Sequence, residues 1–161
     1  MGTAPGFESE LAKAYPGLIY DLQPHRIISK FIEAGSILAG AAVSRGPTDK
    51  NKIVRGGTTV FGIAVRDHIE GQNSAFAVGD NIRYNPNNGD IAPVMVKGWV
   101  WVTSVSGTGV PGDPVWSDDT TGEIGIGTPG IGQTAIANAS LQNTITGGAQ
   151  MALIRLRGNT N

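Results

Sequence analysis

Apolar residues recur at every second position through much of this chain, the spacing that lines one face of an extended strand. Starting at Thr59, the residues Thr59, Phe61, Ile63, Val65 and Ile69 fall on one face, with Thr58, Gly62, Arg66 and His68 on the other. Further on, Val94, Val96, Val100 and Val102 share a face, while Met95, Lys97, Trp99, Trp101 and Thr103 point the opposite way. Near the C-terminus Ala152, Ile154 and Leu156 alternate with Leu153, Arg155 and Arg157. Shorter runs at Ile27–Glu33, Ile37–Val43, Asn81–Tyr84, Pro114–Ser117 and Glu123–Ile126 predict further strands. Between them lie residues that accept positive φ or cap their own backbone: Pro86–Asp90, Val110–Asp113 and Asp118–Gly122. Helical spacing occurs only at Glu8–Ala14 and Ala135–Leu141. The pattern predicts an all-β chain whose body is a small antiparallel β-barrel or sandwich.

The first 24 residues break this pattern. Pro5, Gly6, Pro16, Gly17 and Pro24 punctuate a segment that also carries Phe7, Leu11, Tyr15, Leu18, Ile19, Tyr20 and Leu22. Prolines on both sides stop the Glu8–Ala14 turns from growing into a longer helix, and disordered tails lack such apolar content. The division expected is an N-terminal arm, 1–24, and a β-barrel body, 25–161. An arm of this length reaches about 80 Å when extended, against a radius of gyration of roughly 14 Å for the body. It can therefore touch another molecule, with Phe7, Leu11, Tyr15 and Tyr20 as anchors. Removing it is expected to leave the melting temperature nearly unchanged and to weaken binding to a neighbour.

Composition narrows the function. Twelve Lys+Arg against thirteen Asp+Glu give a net charge of −1 over 161 residues, so no basic surplus exists to neutralise phosphates, and no nucleic-acid partner is expected. Charged residues are only 16% of the chain, below the roughly 25% usual for soluble domains. Without cysteine, disulfides, thiolate metal sites and thiol nucleophiles are excluded. The start, Met1 to Phe7, has neither a basic nor an apolar region of the signal-peptide type. No run approaches the 18 or so apolar residues of a membrane helix, so no membrane partner is expected.

The candidate chemistry is thin. Gly107–Gly112 and Gly125–Gly130 match the letters of a phosphate-binding glycine loop, but neither precedes a helical pattern whose amides would hold phosphate. Asp113, Asp118, Asp119 and Glu123 form the densest acidic cluster, yet their spacing is not that of a calcium loop. Asp118–Gly122 reads instead as a hairpin turn between Val115-Trp116 and Glu123-Ile124. His25 and His68 each lack a second histidine at ligand spacing. No catalytic, cofactor or metal residues are assigned. Trp99 and Trp101 project from a strand that is apolar on both faces, so one face needs cover from a second layer, a ligand or a partner chain. Core on both sides is the plain reading. A carbohydrate-binding module using Trp99, Trp101 or Trp116 as stacking platforms is another.

One resemblance stands out. The sequence resembles the capsid cement, or head decoration, proteins of tailed bacteriophages, in their small, glycine-rich, cysteine-free type with a tulip-like β fold. The residues carrying it are Gly98–Val102, Pro111–Trp116 with the glycine-rich hairpin that follows, Ile136–Ser140, Gly147–Leu156, and Gly79-Asp80 before a strand. The likeness runs through roughly residues 56 to 157. It implies a non-enzymatic virion protein, made in the host cytoplasm, that binds the outside of the icosahedral head. Such proteins act as homotrimers and clamp neighbouring major capsid subunits against packaged DNA. On that reading Trp99, Trp101 and Trp116 mark a trimer or partner face, and the arm contacts the capsid. The alternatives are the sugar-binding module and, more weakly, a hydrolase with carboxylates from separate strands.

Overall fold

A computed structural model describes residues 16–20, 24–66 and 82–158. Among these residues twelve strands follow in order: β1 Arg26–Ala34, β2 Ile37–Leu38, β3 Ala42–Arg45, β4 Ile53–Arg55, β5 Val60–Ala64 and β6 Arg83–Tyr84 come first. Then come β7 Ile91–Ser104, β8 Val115–Asp118, β9 Ile124–Ile126, β10 Gln133–Ala135, β11 Ala139–Leu141 and β12 Gln150–Leu156. The all-β expectation holds. Ala135–Leu141, whose spacing could also suit a helix, is instead the end of β10, a turn and β11, because Ile136 and Leu141 are drawn into a core from extended backbone. The other candidate, Glu8–Ala14, lies outside the described residues, as do His68 and Ile69.

Strands β1, β4, β3, β5 and β7 close on themselves, since β7 pairs with both β5 and β1. This five-stranded barrel encloses Ile32, Val43, Ile53, Ala64, Ala92 and Val94, with Ile37 and Tyr84 from the small β2–β6 sheet. Tyr84 is fully buried and its hydroxyl donates to the Val65 carbonyl at 2.6 Å, so its polar tip is satisfied inside an apolar core.

Beyond the barrel the same β7 continues into a second sheet of order β11-β12-β7-β9-β8-β10. That sheet packs on the outside of the barrel wall. Neighbouring residues of the wall split between the cores: Val43, Ala64 and Val94 face inward, whereas Ala42, Ile63 and Met95 face the second core. A strand apolar on both faces is thus a shared wall here.

Residues Val94, Val96, Val100 and Val102 do not share one face, contrary to the period-two reading. Val94 and Val96 belong to the barrel core and Val100 and Val102 to the second core. The cause is a bulge: Arg26 pairs with Lys97 but Ile27 with Met95, leaving Val96 without an opposite residue. Gly98 follows at φ +132, where a Cβ would stand 2.7 Å from His25 Cβ. Phe61 and Ile63 are divided in the same way by the irregular β3–β5 register, in which Val43 pairs with Gly62 and Ser44 with Val60.

Candidate functional site

The chain's N-terminal segment and the tryptophans of β7 come together. Pro16–Tyr20 lies antiparallel along the edge of β7. Gly17 N–H donates to the Trp101 carbonyl (2.7 Å), Trp101 N–H to Leu18 (2.9 Å) and Tyr20 N–H to Trp99 (2.9 Å). Glycine is required at 17 because its φ is +77 and a Cβ would sit 2.7 Å from Ala39 Cβ. Arg66 fastens the start of the segment: its Nε donates to the Pro16 carbonyl at 2.7 Å and its N–H to that of Gly17 at 2.9 Å. The described part of the arm is therefore bonded to the body, with Ile19 packed against the second core.

This backbone pairing places Tyr20 over the outward face of the second sheet. Its ring stacks on Trp99 with centroids 5.9 Å apart and meets Trp101 edge-on at 6.0 Å. Across the sheet, β12 sets Arg155 opposite Trp99 and Leu153 opposite Trp101. The Arg155 guanidinium lies 5.8 Å from the Trp99 ring centroid, a cation–π contact. Each aromatic pair contributes about 0.5–1.5 kcal/mol beyond its burial. The rings are half-buried, and Tyr20 remains 42% exposed. The product is an ordered aromatic face with one cation at its border. A sugar platform would need an open indole face, and on Trp99 Tyr20 is stacked instead.

Trp116 is placed elsewhere. It is 5% exposed, its ring lies against Gly125, and its Nε1 donates to the Ile126 carbonyl at 3.3 Å. Strands β9 and β10 both pair antiparallel with β8, so residues 127–132, which join them, cross over the strand that carries this tryptophan. Within one chain it presents almost no surface. Phe7, Leu11 and Tyr15 lie outside the described residues.

The acidic cluster builds turns. Asp118 Oδ1 accepts the N–H groups of Thr120 (2.9 Å) and Thr121 (2.7 Å) in the β8–β9 hairpin. These bonds, that from Thr121 foremost, hold its carboxyl below the usual value of 3.8. Asp119 accepts from the Thr134 hydroxyl at 2.6 Å, Asp113 from the Val110 N–H at 2.8 Å, and Glu123 from the Thr121 hydroxyl at 3.1 Å. Glu33 serves a second loop, accepting the Asp49 and Thr48 N–H groups, and its carboxyl is lowered chiefly by the Asp49 bond. Neither glycine-rich run opens a helix: one enters the turn before Asp113 and the other starts on β9. Among the described residues no three His, Cys, Asp or Glu side chains gather at metal-binding distance, and no helix is long and apolar enough to cross a membrane.

Sequence reasoning missed Leu153 and Arg155 as members of the aromatic face. Their alternation was visible, but the register that sets them beside the tryptophans was not. The role of Gly17 was also hidden, since the close approach of Ala39 is a tertiary fact.

Comparison with known proteins adds three findings. Residues 5–157 match the family described as structural cement protein (E217 gp24/Pam3 gp6). Among solved structures the fold is similar to a chain of the capsid of Myoviridae phage XM1, with TM-score 0.67 and 18% identity over 88% of this chain and 89% of that one. No curated protein matches the chain.

Proposed function

The chain belongs to the structural cement proteins of phages, and from that premise we propose that it binds the outer surface of an icosahedral head and clamps neighbouring major capsid subunits. The clamp works by buried surface, without catalysis, cofactor or metal, and the chain acts as a homotrimer. The observation that carries this reading is the aromatic face of Tyr20, Trp99 and Trp101. It is pre-ordered by backbone pairing, so little conformational freedom is lost when a partner covers it. Aromatic anchors bordered by an arginine are also the side chains that dominate interface energetics. Phe7, Leu11 and Tyr15 precede the paired segment in the chain, and we assign them to the same contact as anchors on a neighbouring subunit. A standard interface buries around 1,600 Å². Repetition over many lattice sites turns modest single contacts into a resistant shell.

Co-sedimentation with expanded heads that lack this protein tests the reading. The full chain should pellet with the heads, and Trp101→Ala should bind about tenfold more weakly or worse, equivalent to about 1.4 kcal/mol. Failure of the full chain to bind, or binding of the variant at full strength, overturns it.

A further inference from the structure

On one side the aromatic face ends in cations. Arg155 stands opposite Trp99, and the next pair of the β12–β7 ladder is Leu156 with Gly98. One residue further on Arg157 comes beside Lys97, and a Cβ on Gly158 would stand 3.6 Å from Lys97 Cβ. From its other side Lys97 is paired with Arg26 of β1. Three stretches of chain thus bring Arg26, Lys97 and Arg157 into one row, next to the row of Trp99 and Arg155. All four cations are exposed. Like charges set opposite each other weaken an antiparallel ladder. Among the described strand pairs, Arg26–Lys97 alone has that arrangement.

No carboxylate among the described residues offsets it. None forms an ion pair with Arg26, Lys97, Arg155 or Arg157. Asp49 and Asp90 accept the N–H groups of Asn51 and Asn85, at 2.9 and 2.7 Å. The other described carboxylates serve the turns and loops already named. Cations elsewhere have neighbours that use them: Lys52 lies 4.0 Å from Asp49, and Arg45 lies 4.9 Å from the Phe61 ring centroid.

We propose that Lys97, Arg155 and Arg157 receive carboxylates of the protein surface that covers the aromatic face, so that the partner there is acidic. The rings supply the apolar centre of the contact and the cations its polar rim. A guanidinium fork matches a carboxylate with two parallel hydrogen bonds, and a positive margin steers an acidic partner into place. A second copy meeting this patch with its own would bring cation against cation. A nucleic acid would need open rings for its bases, and Tyr20 stacks on Trp99 and meets Trp101 edge-on. The inference rests on the capsid reading above and names the chemistry of the surface bound.

Co-sedimentation of Lys97→Glu and Arg157→Glu with heads that lack this protein tests it. Each variant should bind about tenfold more weakly or worse at about 0.1 M salt, and the gap should close at about 1 M, where the Debye length falls to about 3 Å. Lys97→Glu should also melt at or above the temperature of Lys97→Gln, since its carboxylate gains cationic neighbours. Should Lys97→Glu fail to fold, Arg157→Glu decides alone. Variants that bind like the unaltered chain overturn the proposal, as does a gap that salt leaves untouched. A lower melting temperature for Lys97→Glu than for Lys97→Gln also overturns it, because a carboxylate of the chain itself would then serve these cations. If the full chain fails to bind heads, the capsid reading falls, and poly-glutamate titrated against tryptophan fluorescence decides the present one. A response abolished by Arg157→Glu supports it; no response, or a stronger one to single-stranded oligodeoxythymidine, overturns it.

Discussion

The barrel and the second lobe share the wall formed by β3, β5 and β7, but they meet solvent differently. The barrel exposes Arg26, Arg45, Lys50 and Arg55 along its strands and loops. The second lobe has no charged residue from Gly98 to Gly112 or from Ile124 to Ile154, and it carries an aromatic face on its outer side. Each lobe has its own core of buried apolar side chains, so stability alone does not call for that difference. A charged exterior keeps a scaffold soluble, whereas an uncharged one is suited to being covered. On the proposed reading, the barrel supports and the second lobe makes the contacts.

The largest expected effect comes from the residue that lets one strand serve both lobes. Gly98→Val forces a side chain into φ +132 and against His25. It should cost about 4 kcal/mol or more, or prevent folding, in urea unfolding. A loss below about 1 kcal/mol would mean that the bulge does not need glycine.

Paired cavities ask whether the lobes are separable. Ile53→Ala empties part of the barrel core and Ile154→Ala part of the second core, both from fully buried positions. Each should cost about 2–5 kcal/mol. Because Ala42, Ile63 and Met95 of the barrel wall belong to the second core, both variants should still unfold in one transition by calorimetry. Two transitions would show that the lobes unfold independently.

A chain beginning at Leu22 loses the three hydrogen bonds of Gly17, Leu18 and Tyr20 to β7, and the cover Tyr20 gives Trp99. The structure therefore replaces the expectation of an unchanged melting temperature with a loss of about 1–3 kcal/mol. At about 2–4 °C per kcal/mol for a chain of this size, the fall is measurable by differential scanning calorimetry. An unchanged transition would show that Pro16–Tyr20 contributes nothing to the body.

The smallest effect concerns acid and the joint between the lobes. The Asp118 turn docks on the barrel: Ala42 N–H donates to the Gly122 carbonyl and Gly57 N–H to that of Asp119, both at 2.8 Å. The Asp118 carboxyl is lowered in the folded state. Its stabilising contribution is therefore complete above the unfolded value near 3.8 and disappears as pH falls through the lower folded value. Asp118→Asn should lower stability at neutral pH and flatten the acid limb of the pH profile below about 4. The carboxylate is largely solvated, so the difference is small. Identical acid limbs would remove Asp118 from the account.

Much of the fold was legible in the sequence because alternation and turn chemistry are local. The β8–β9 hairpin at Asp118–Gly122 and the inward set Ala152, Ile154 and Leu156 appear as the spacing required. The reading failed where one extra residue enters a strand: a bulge shifts every later side chain to the other face, and nothing in a run of valines marks it. It failed again at β10 and β11, where tertiary burial of Ile136 and Leu141 overrides a weak helical spacing. The tryptophans of β7 were recognisable as needing cover. That Tyr20 from the chain's own arm supplies part of it depends on a pairing about 80 residues distant, which no local pattern encodes.

Electron microscopy of phage heads carrying this protein tests the central claim most directly. The account predicts the Tyr20–Trp99–Trp101 face and the N-terminal segment against major capsid subunits, with the charged barrel turned toward solvent. Heads on which the barrel lies against the shell and the aromatic face points outward, uncovered, would contradict it.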